Sequence, residues 1–320
     1  TTYFARAIDP AGNASACSTT GATYIEDSTP PGTPAGGFVT PIGPANNNSP
    51  VVSGAAEAFA TVHVHANDPT CTSAPISTTA SATGAYSVAF AVADNSLSTF
   101  YGRTIDRAGN ASACQALALS YTADSTAPTT PGAPDLDSES DTGASTTDNI
   151  TRAAAPVFKG SVEPYASVKL FHSGTTLVGI TTADAAGAYT LTVGALADAA
   201  YSFTVIATDT AGNASPASPA LPVTIDTVAP SAIATAPDLN AASDTGASQT
   251  DKITRATMPT FYGNGALAGA SIRLYASGLL VATATADGAG AYAVTSSTLT
   301  AGAKTITVRQ LDVAGNESDD

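Results

Sequence analysis

Five residues, Asp-x-Ala-Gly-Asn, occur four times in this chain, beginning at Asp9, Asp106, Asp209 and Asp312. The last three copies are spaced by 103 residues, and the phrase Gly-Ala-Tyr keeps the same interval at Gly84, Gly187 and Gly290. A third phrase, PDLDSESDTGASTTDNIT from Pro134 to Thr151, returns 103 residues later as PDLNAASDTGASQTDKIT from Pro237 to Thr254. Three unrelated phrases sharing one interval define a repeat. A period near 100 residues is too long for a solenoid unit and is the size of a small domain. The interval from Asp9 to Asp106 is only 97 residues, because the Asp/Ser/Thr phrase has no counterpart between Pro31 and Pro50. The register predicts the closing strands of one domain in residues 1–27, whole domains in 28–124 and 125–226, and a fourth in 227–320. The strand PALPVTID, Pro219 to Asp226, has no equivalent after the last copy of the phrase, so the fourth domain is expected to lack its final strand. The expectation is a stretch of a longer polypeptide whose terminal domains are incomplete.

Within a repeat, short runs alternate apolar and polar residues. Between Ala155 and Asp226 they are APVFKG, SVKLFHSG, TLVGITTAD, AYTLTVG, YSFTVIATD and LPVTID. Alternation at strand length, punctuated by Gly, Asn, Asp and Pro, marks half-buried antiparallel strands. No segment holds a 3.6-residue period over helix length. Six or seven such strands in about 100 residues predict an all-β chain of tandem immunoglobulin-like β-sandwich domains in an extended array. The Asp-x-Ala-Gly-Asn phrase then falls at a strand end. Gly and Asn tolerate positive φ there, and the Asp carboxylate can accept backbone N–H groups of the turn. Gly-Ala-Tyr opens a strand, with its Tyr expected to pack at the edge.

The net charge of −15 offers no basic patch for phosphates, which excludes nucleic acid as a partner. No apolar run approaches the length of a membrane span. Hydrophobic residues make up 43% of the chain, enough for real cores and too many for a disordered Ser/Thr-rich stalk. The three cysteines are informative by place. Cys114 lies in AGNASAC, Cys17 holds the same place one copy earlier, and Cys71 sits in the loop-like DPTCTSAP. The simplest pairing is a Cys71–Cys114 disulfide, with Cys17 bonded to a residue upstream; two buried thiols are the alternative. A disulfide implies an oxidising compartment, hence export.

His63 and His65 in TVHVHAN project to one strand face, but two ligands make a weak metal site, and exposed strand residues are expected there. Asn13, Asn110, Asn149, Asn213 and Asn316 satisfy the N-x-S/T pattern, and four of these are the Asn of Ala-Gly-Asn, which the turn explains. No nucleophile elbow, P-loop, dinucleotide fingerprint or zinc-protease motif occurs, so no enzyme is predicted.

Asp-x-Ala-Gly-Asn at a strand end, DSTAP (Asp124 to Pro128) or DTVAP (Asp226 to Pro230) at a boundary, and the long acidic phrase after it resemble the bacterial Ig-like repeats of giant calcium-binding surface adhesins and related repetitive exported proteins. The resemblance covers nearly the whole chain and is strongest from Asp124 onward. It implies a cell-surface or extracellular location, neighbouring domains of the same chain as partners, and calcium held between domains. The acidic residues suit that role: Asp124, Asp135, Asp137, Asp141 and Asp148 crowd one boundary, and Asp226, Asp238, Asn240, Asp244 and Asp251 the next. Several hard oxygen donors are what Ca²⁺ requires, and like charges so gathered would repel without a cation. A solvated loop built from Asx-turns is the plainer alternative. The spacing is not that of an EF-hand. Residues 28–124 lack the acidic phrase, which leaves their first junction without this site.

The expected function is that of a structural extender, or stalk region, of an exported bacterial adhesin, with calcium and linker prolines limiting bending. The rival is a subunit of a self-assembling filament or sheath, in which copies of the chain join by strand donation. A carbohydrate-binding module is a third class, and 6% aromatics offer it no sugar platform.

Overall fold

The computed structural model describes all 320 residues, and every regular element in it is a β-strand. The chain divides into two compact units, Thr1–Thr126 and Ala127–Asp320, taken separately below.

In the first unit, β1 (Thr2–Tyr3) and β2 (Ala22–Thr23) form a small antiparallel pair. A sandwich follows, built from β3 (Ala35–Thr40), β4 (Val51–Ala55), β5 (Thr61–Ala66), β6 (Ile76–Thr79), β7 (Ala85–Ala89), β8 (Ser96–Ile105) and β9 (Gln115–Ala123). One sheet runs β3-β4-β7 and the other β6-β5-β8-β9. Alternation decides the core: along β8, Phe100 and Thr104 point inward while their neighbours are only partly covered. Phe100 packs with Val52, Val62, Val64 and Tyr121 in one buried cluster.

The second unit holds two sandwiches. The first comprises β10 (Asp135–Leu136), β11 (Ile150–Thr151), β12 (Val157–Ser161), β13 (Ser167–His172), β14 (Thr176–Thr182), β15 (Ala188–Thr192), β16 (Ala199–Thr208) and β17 (Leu221–Ile225). Its sheets are β10-β12-β15 and β11-β17-β16-β13-β14. The six runs of alternating residues found in the sequence are β12 to β17. The two-residue strands β10 and β11 are too short for any periodicity, and β11 pairs parallel to β17. Phe158, Val168, Leu170, Phe203 and Val205 form the core. The second sandwich repeats the plan with β18 (Asp238–Leu239), β19 (Thr260–Gly263), β20 (Ser271–Ala276), β21 (Leu279–Thr285), β22 (Tyr292–Thr295) and β23 (Ile306–Leu311), in sheets β18-β19-β22 and β21-β20-β23.

The Gly-Ala-Tyr phrase has a stronger cause than edge packing. Tyr86, Tyr189 and Tyr292 are all buried, and each lies directly across the ladder from a glycine: Gly54, Gly160 and Gly263. The phenol covers the glycine so closely that a Cβ on Gly160 would lie 2.5 Å from the Tyr189 oxygen. A tyrosine and a glycine on facing strands thus form one packing unit, kept in register three times. Burial pushes the phenol pKa of Tyr86 and Tyr189 up to about 12.

Candidate functional site: the joint between repeats

Each Asp-x-Ala-Gly-Asn phrase closes on itself in the same way. Asp312 accepts the backbone N–H of Asn316 on Oδ1 and its side-chain amide on Oδ2, both at 2.9 Å. Asp9, Asp106 and Asp209 bind Asn13, Asn110 and Asn213 through the same atom pairs. In all four the glycine has φ between 88° and 96°, a region that a side chain disfavours. The Asn110 amide, with the backbone N–H groups of the turn, holds the Asp106 carboxyl below the usual carboxylate range despite its burial.

The turn explains the Asp but not the whole Asn. Its amide has a second hydrogen, and in two copies this reaches the linker of the preceding repeat. Asn110 Nδ2 donates to the Asp27 carbonyl at 3.1 Å, and Asn316 Nδ2 to the Asp226 carbonyl at 2.8 Å. The sequence held one sign of this: Asp27 and Asp226 each lie one or two residues before a Ser/Thr and a proline-rich linker, so the same boundary feeds the same corner.

The acidic phrase makes the other half of the joint in residues 127–320. Its loop leaves β10 and returns at β11, beside the last residues of β17, which places it at the end of the sandwich from which the chain exits. Asp141 Oδ2 accepts Asn149 N, the Thr151 hydroxyl donates to the Ser140 carbonyl, and Arg152 N donates to Thr142 Oγ1. On this frame the Thr142 hydroxyl donates to the Ala314 carbonyl at 2.6 Å, and Arg152 Nη1 donates to the Gly315 carbonyl at 2.8 Å. The acidic loop of one repeat therefore grips the Ala-Gly-Asn corner of the next.

The ten oxygen-bearing residues expected to share calcium separate into three kinds. Asp124, Asp226 and Asn240 cap turns, accepting Thr126 N, Val228 N and Ala242 N. Asp135 and Asp137 face Lys159 Nζ at 3.7 and 3.6 Å, and Asp238 faces Lys252 Nζ at 3.1 Å. Lys159 arrives through strand pairing, opposite Asp135 in the β10–β12 register, which no linear reading reveals. The remaining four are Asp141 and Asp148, and Asp244 and Asp251. Asp148 and Asp251 each accept a backbone N–H two residues on. Asp141 and Asp244 are 2% and 3% exposed, and in both Oδ1 is buried without a hydrogen-bond donor. Burial, with the Asp148 carboxylate beside it, raises the Asp141 pKa. An orphaned anionic oxygen next to a like charge fits a cation, but no three His, Cys, Asp or Glu side chains converge on one point. Any further ligands there would be neutral oxygens.

In the first unit Cys71 and Cys114 form the expected disulfide, with Cα atoms 5.8 Å apart, and Cys17 is exposed. The histidines differ from expectation. His65 is 1% exposed rather than on the surface, because the loop that carries Cys71 folds over it. Asp68 organises that loop by accepting Thr70 N, Thr72 N and Ser73 N, while Ser73 Oγ lies 3.1 Å and Asp68 Oδ2 3.6 Å from His65 Nδ1. Desolvation lowers the His65 pKa, against the opposing pull of Asp68.

Residues 127–227 and 231–320 match the family model described as a bacterial Ig-like domain. No curated protein sequence is significantly similar to the chain. Solved structures similar to it include a tetra-tandem repeat in the extending region of a large adhesion protein, at 19% identity and a TM-score of 0.27, covering 99% of this chain and 79% of that one. Others are the chicken CNTN1 FN1–FN3 domains, at 12% identity and 0.33 over 91% and 96%, and the BSP domain of a biofilm-associated protein, at 13% and 0.22 over 92% and 66%. At such scores these likenesses carry no weight of their own.

Proposed function

Because the chain belongs to the bacterial Ig-like domain family, we propose that it is part of the stalk of an exported surface protein, an adhesin, whose tandem domains hold a distal functional part away from the cell. The observation that carries this reading is the joint itself. The corner of residues 312–316 is bonded both to the linker carbonyl before it and to the loop of the preceding domain. A spacer needs neighbouring domains that keep their angle, and bonds across the joint oppose bending. Passage through an oxidising compartment, supported by the Cys71–Cys114 bond, agrees with export.

Calcium is the second part of the proposal. Asp141 with Asp148, and Asp244 with Asp251, would hold it, and the ion would supply positive charge for two carboxylate oxygens that have no donor of their own. The loop that carries these residues also carries Thr142 and Arg152, so an ion there would stiffen the grip on the next domain. A filament formed by strand donation stays the rival reading. The test is scattering and melting of residues 1–320 in EDTA and in millimolar Ca²⁺. Calcium should raise the melting temperature of the 127–320 unit and leave a rod-like scattering profile, whereas a profile of freely jointed beads under both conditions would reject the stalk.

A further inference from the structure

The grip described for Thr142 and Arg152 is written a second time. Residues 141–152, DTGASTTDNITR, return as DTGASQTDKITR at 244–255. The loop bonds return with them. Lys252 N donates to Asp244 Oδ2 at 3.1 Å, as Asn149 N does to Asp141. Arg255 N donates to Thr245 Oγ1 at 2.9 Å, as Arg152 N does to Thr142. Ala256 N donates to Thr254 Oγ1 at 2.9 Å, and Ser243 Oγ accepts Thr260 N at 3.0 Å, matching Ala153 and Val157 in the earlier repeat. Because the framework is the same with and without a corner seated on it, the loop is preformed and binding would cost little reorganisation.

The two copies differ in what lies against them. A Cβ on Gly143 would collide with the Val313 carbonyl, and one on Gly315 would come within 2.9 Å of the Gly143 Cα, so two glycines face each other at the occupied joint. A Cβ on Gly246 would meet nothing within 4 Å. Thr245, Gly246, Ile253, Thr254 and Arg255 line an open hollow, Ile253 is 70% exposed, and the Arg255 side chain has no hydrogen-bond or ion-pair partner. These are the counterparts of the residues that seat Ala314 and Gly315.

We propose that the hollow at 245–255 is a docking surface for the Asp-x-Ala-Gly-Asn corner of a further Ig-like repeat. The Thr245 hydroxyl would donate to its Ala carbonyl, the Arg255 guanidinium to its Gly carbonyl, and Gly246 would lie against its Gly. Selectivity follows from the corner. Only a glycine at positive φ presents two successive carbonyls with no Cβ between them and Gly246. The signature Asp-Thr-Gly followed by Thr-Arg nine residues after the Thr then marks which repeats can grip a successor, and residues 28–50 do not carry it. The inference rests on the tandem-stalk reading and adds to it a sequence code for rigid joints.

The test lengthens the full chain at Asp320 with a second copy of residues 218–320, which continues the 103-residue register. Spin labels on non-natural residues report the distance distribution across the new joint and across the existing joint between 127–226 and 227–320. The new joint should be as narrow as the existing one. Arg255→Ala, or Gly315→Asn in the added copy, where Asn tolerates the φ but brings a Cβ, should broaden the new joint at least twofold and leave the existing one unchanged. A narrow existing joint with a new joint that is broad, or that is narrow but indifferent to both substitutions, overturns the docking surface and leaves the stalk reading standing. If both joints are broad, both readings fall.

Discussion

Asp141→Asn separates a buried carboxylate that waits for a cation from one that merely braces a loop. In the folded chain the Asp141 Oδ1 has no donor and Oδ2 accepts Asn149 N, with the Asp148 carboxylate adjacent. Leaving a buried acceptor unsatisfied costs about 1–3 kcal/mol, and more when it is charged. Asn keeps an oxygen for Asn149 N and offers its amide to Asp148, so without calcium the substitution should stabilise by about 1–3 kcal/mol. For a unit of this size that is roughly 2–12 °C in melting temperature. With calcium at about one hundred times its Kd, binding would add about 2.7 kcal/mol to the wild type, and the variant, short of one charged ligand, gains less. The variant's lead in EDTA should therefore shrink or invert in calcium. The pH dependence has the same origin. The folded Asp141 pKa lies above its unfolded value of 3.8, so the native state binds the extra proton and stability in EDTA should fall as pH rises through the range just above 3.8. Differential scanning calorimetry of both proteins, with Asp137→Asn as the Lys159-paired control, supplies the readout. An equal loss of stability with and without calcium would refute the reasoning and make Asp141 a structural brace.

Asn316→Ala removes an amide that serves both Asp312 and the Asp226 carbonyl; it should cost about 1.5–3 kcal/mol and widen the joint, and a melting curve matching the wild type would contradict this. Reducing the Cys71–Cys114 bond, whose cysteines are 43 residues apart, should destabilise the first unit by roughly 4 kcal/mol in the chain-entropy model and leave the second unit's transition in place; equal shifts in both would be evidence against it. His65, neutral and buried, has a pKa below its unfolded 6.5, so its penalty is absent above that pH and grows as pH falls. The first unit should lose stability below pH 6.5 and His65→Gln should flatten the dependence, which unfolding at pH 7.5 and 5 measures.

The sequence displayed the sandwiches because their signals are local and repeated. Strands β12 to β17 carry their alternation in the chain itself, and the 103-residue interval aligns them between repeats. What it hid depends on partners far apart in the chain. Lys159 meets Asp135 only through the β10–β12 register, and Tyr189 covers Gly160 only because the ladder sets them face to face. The burial of His65 is hidden for a related reason: the strand pattern makes its side chain look solvent-facing, and the cover comes from the loop that Asp68 and the disulfide hold closed. At the joint, the Asp of each corner was legible as a turn former, whereas the second amide hydrogen of the Asn has no trace in a linear pattern until the linker carbonyl is seen beside it.

Pulling single molecules of the full chain end to end tests the stalk most directly. A load-bearing spacer should yield in discrete events, one per domain, with residues 127–226 and 227–320 unfolding separately. Each event should release about 100 residues at up to ~3.5 Å per residue, roughly 30 nm after the folded span is subtracted. The first-unit sandwich should release about 15 nm less until a reductant frees the 43-residue span between its cysteines. Events of those lengths, at higher force in calcium, are the predicted result; smooth extension without steps, or one step releasing both repeats together, would contradict the account.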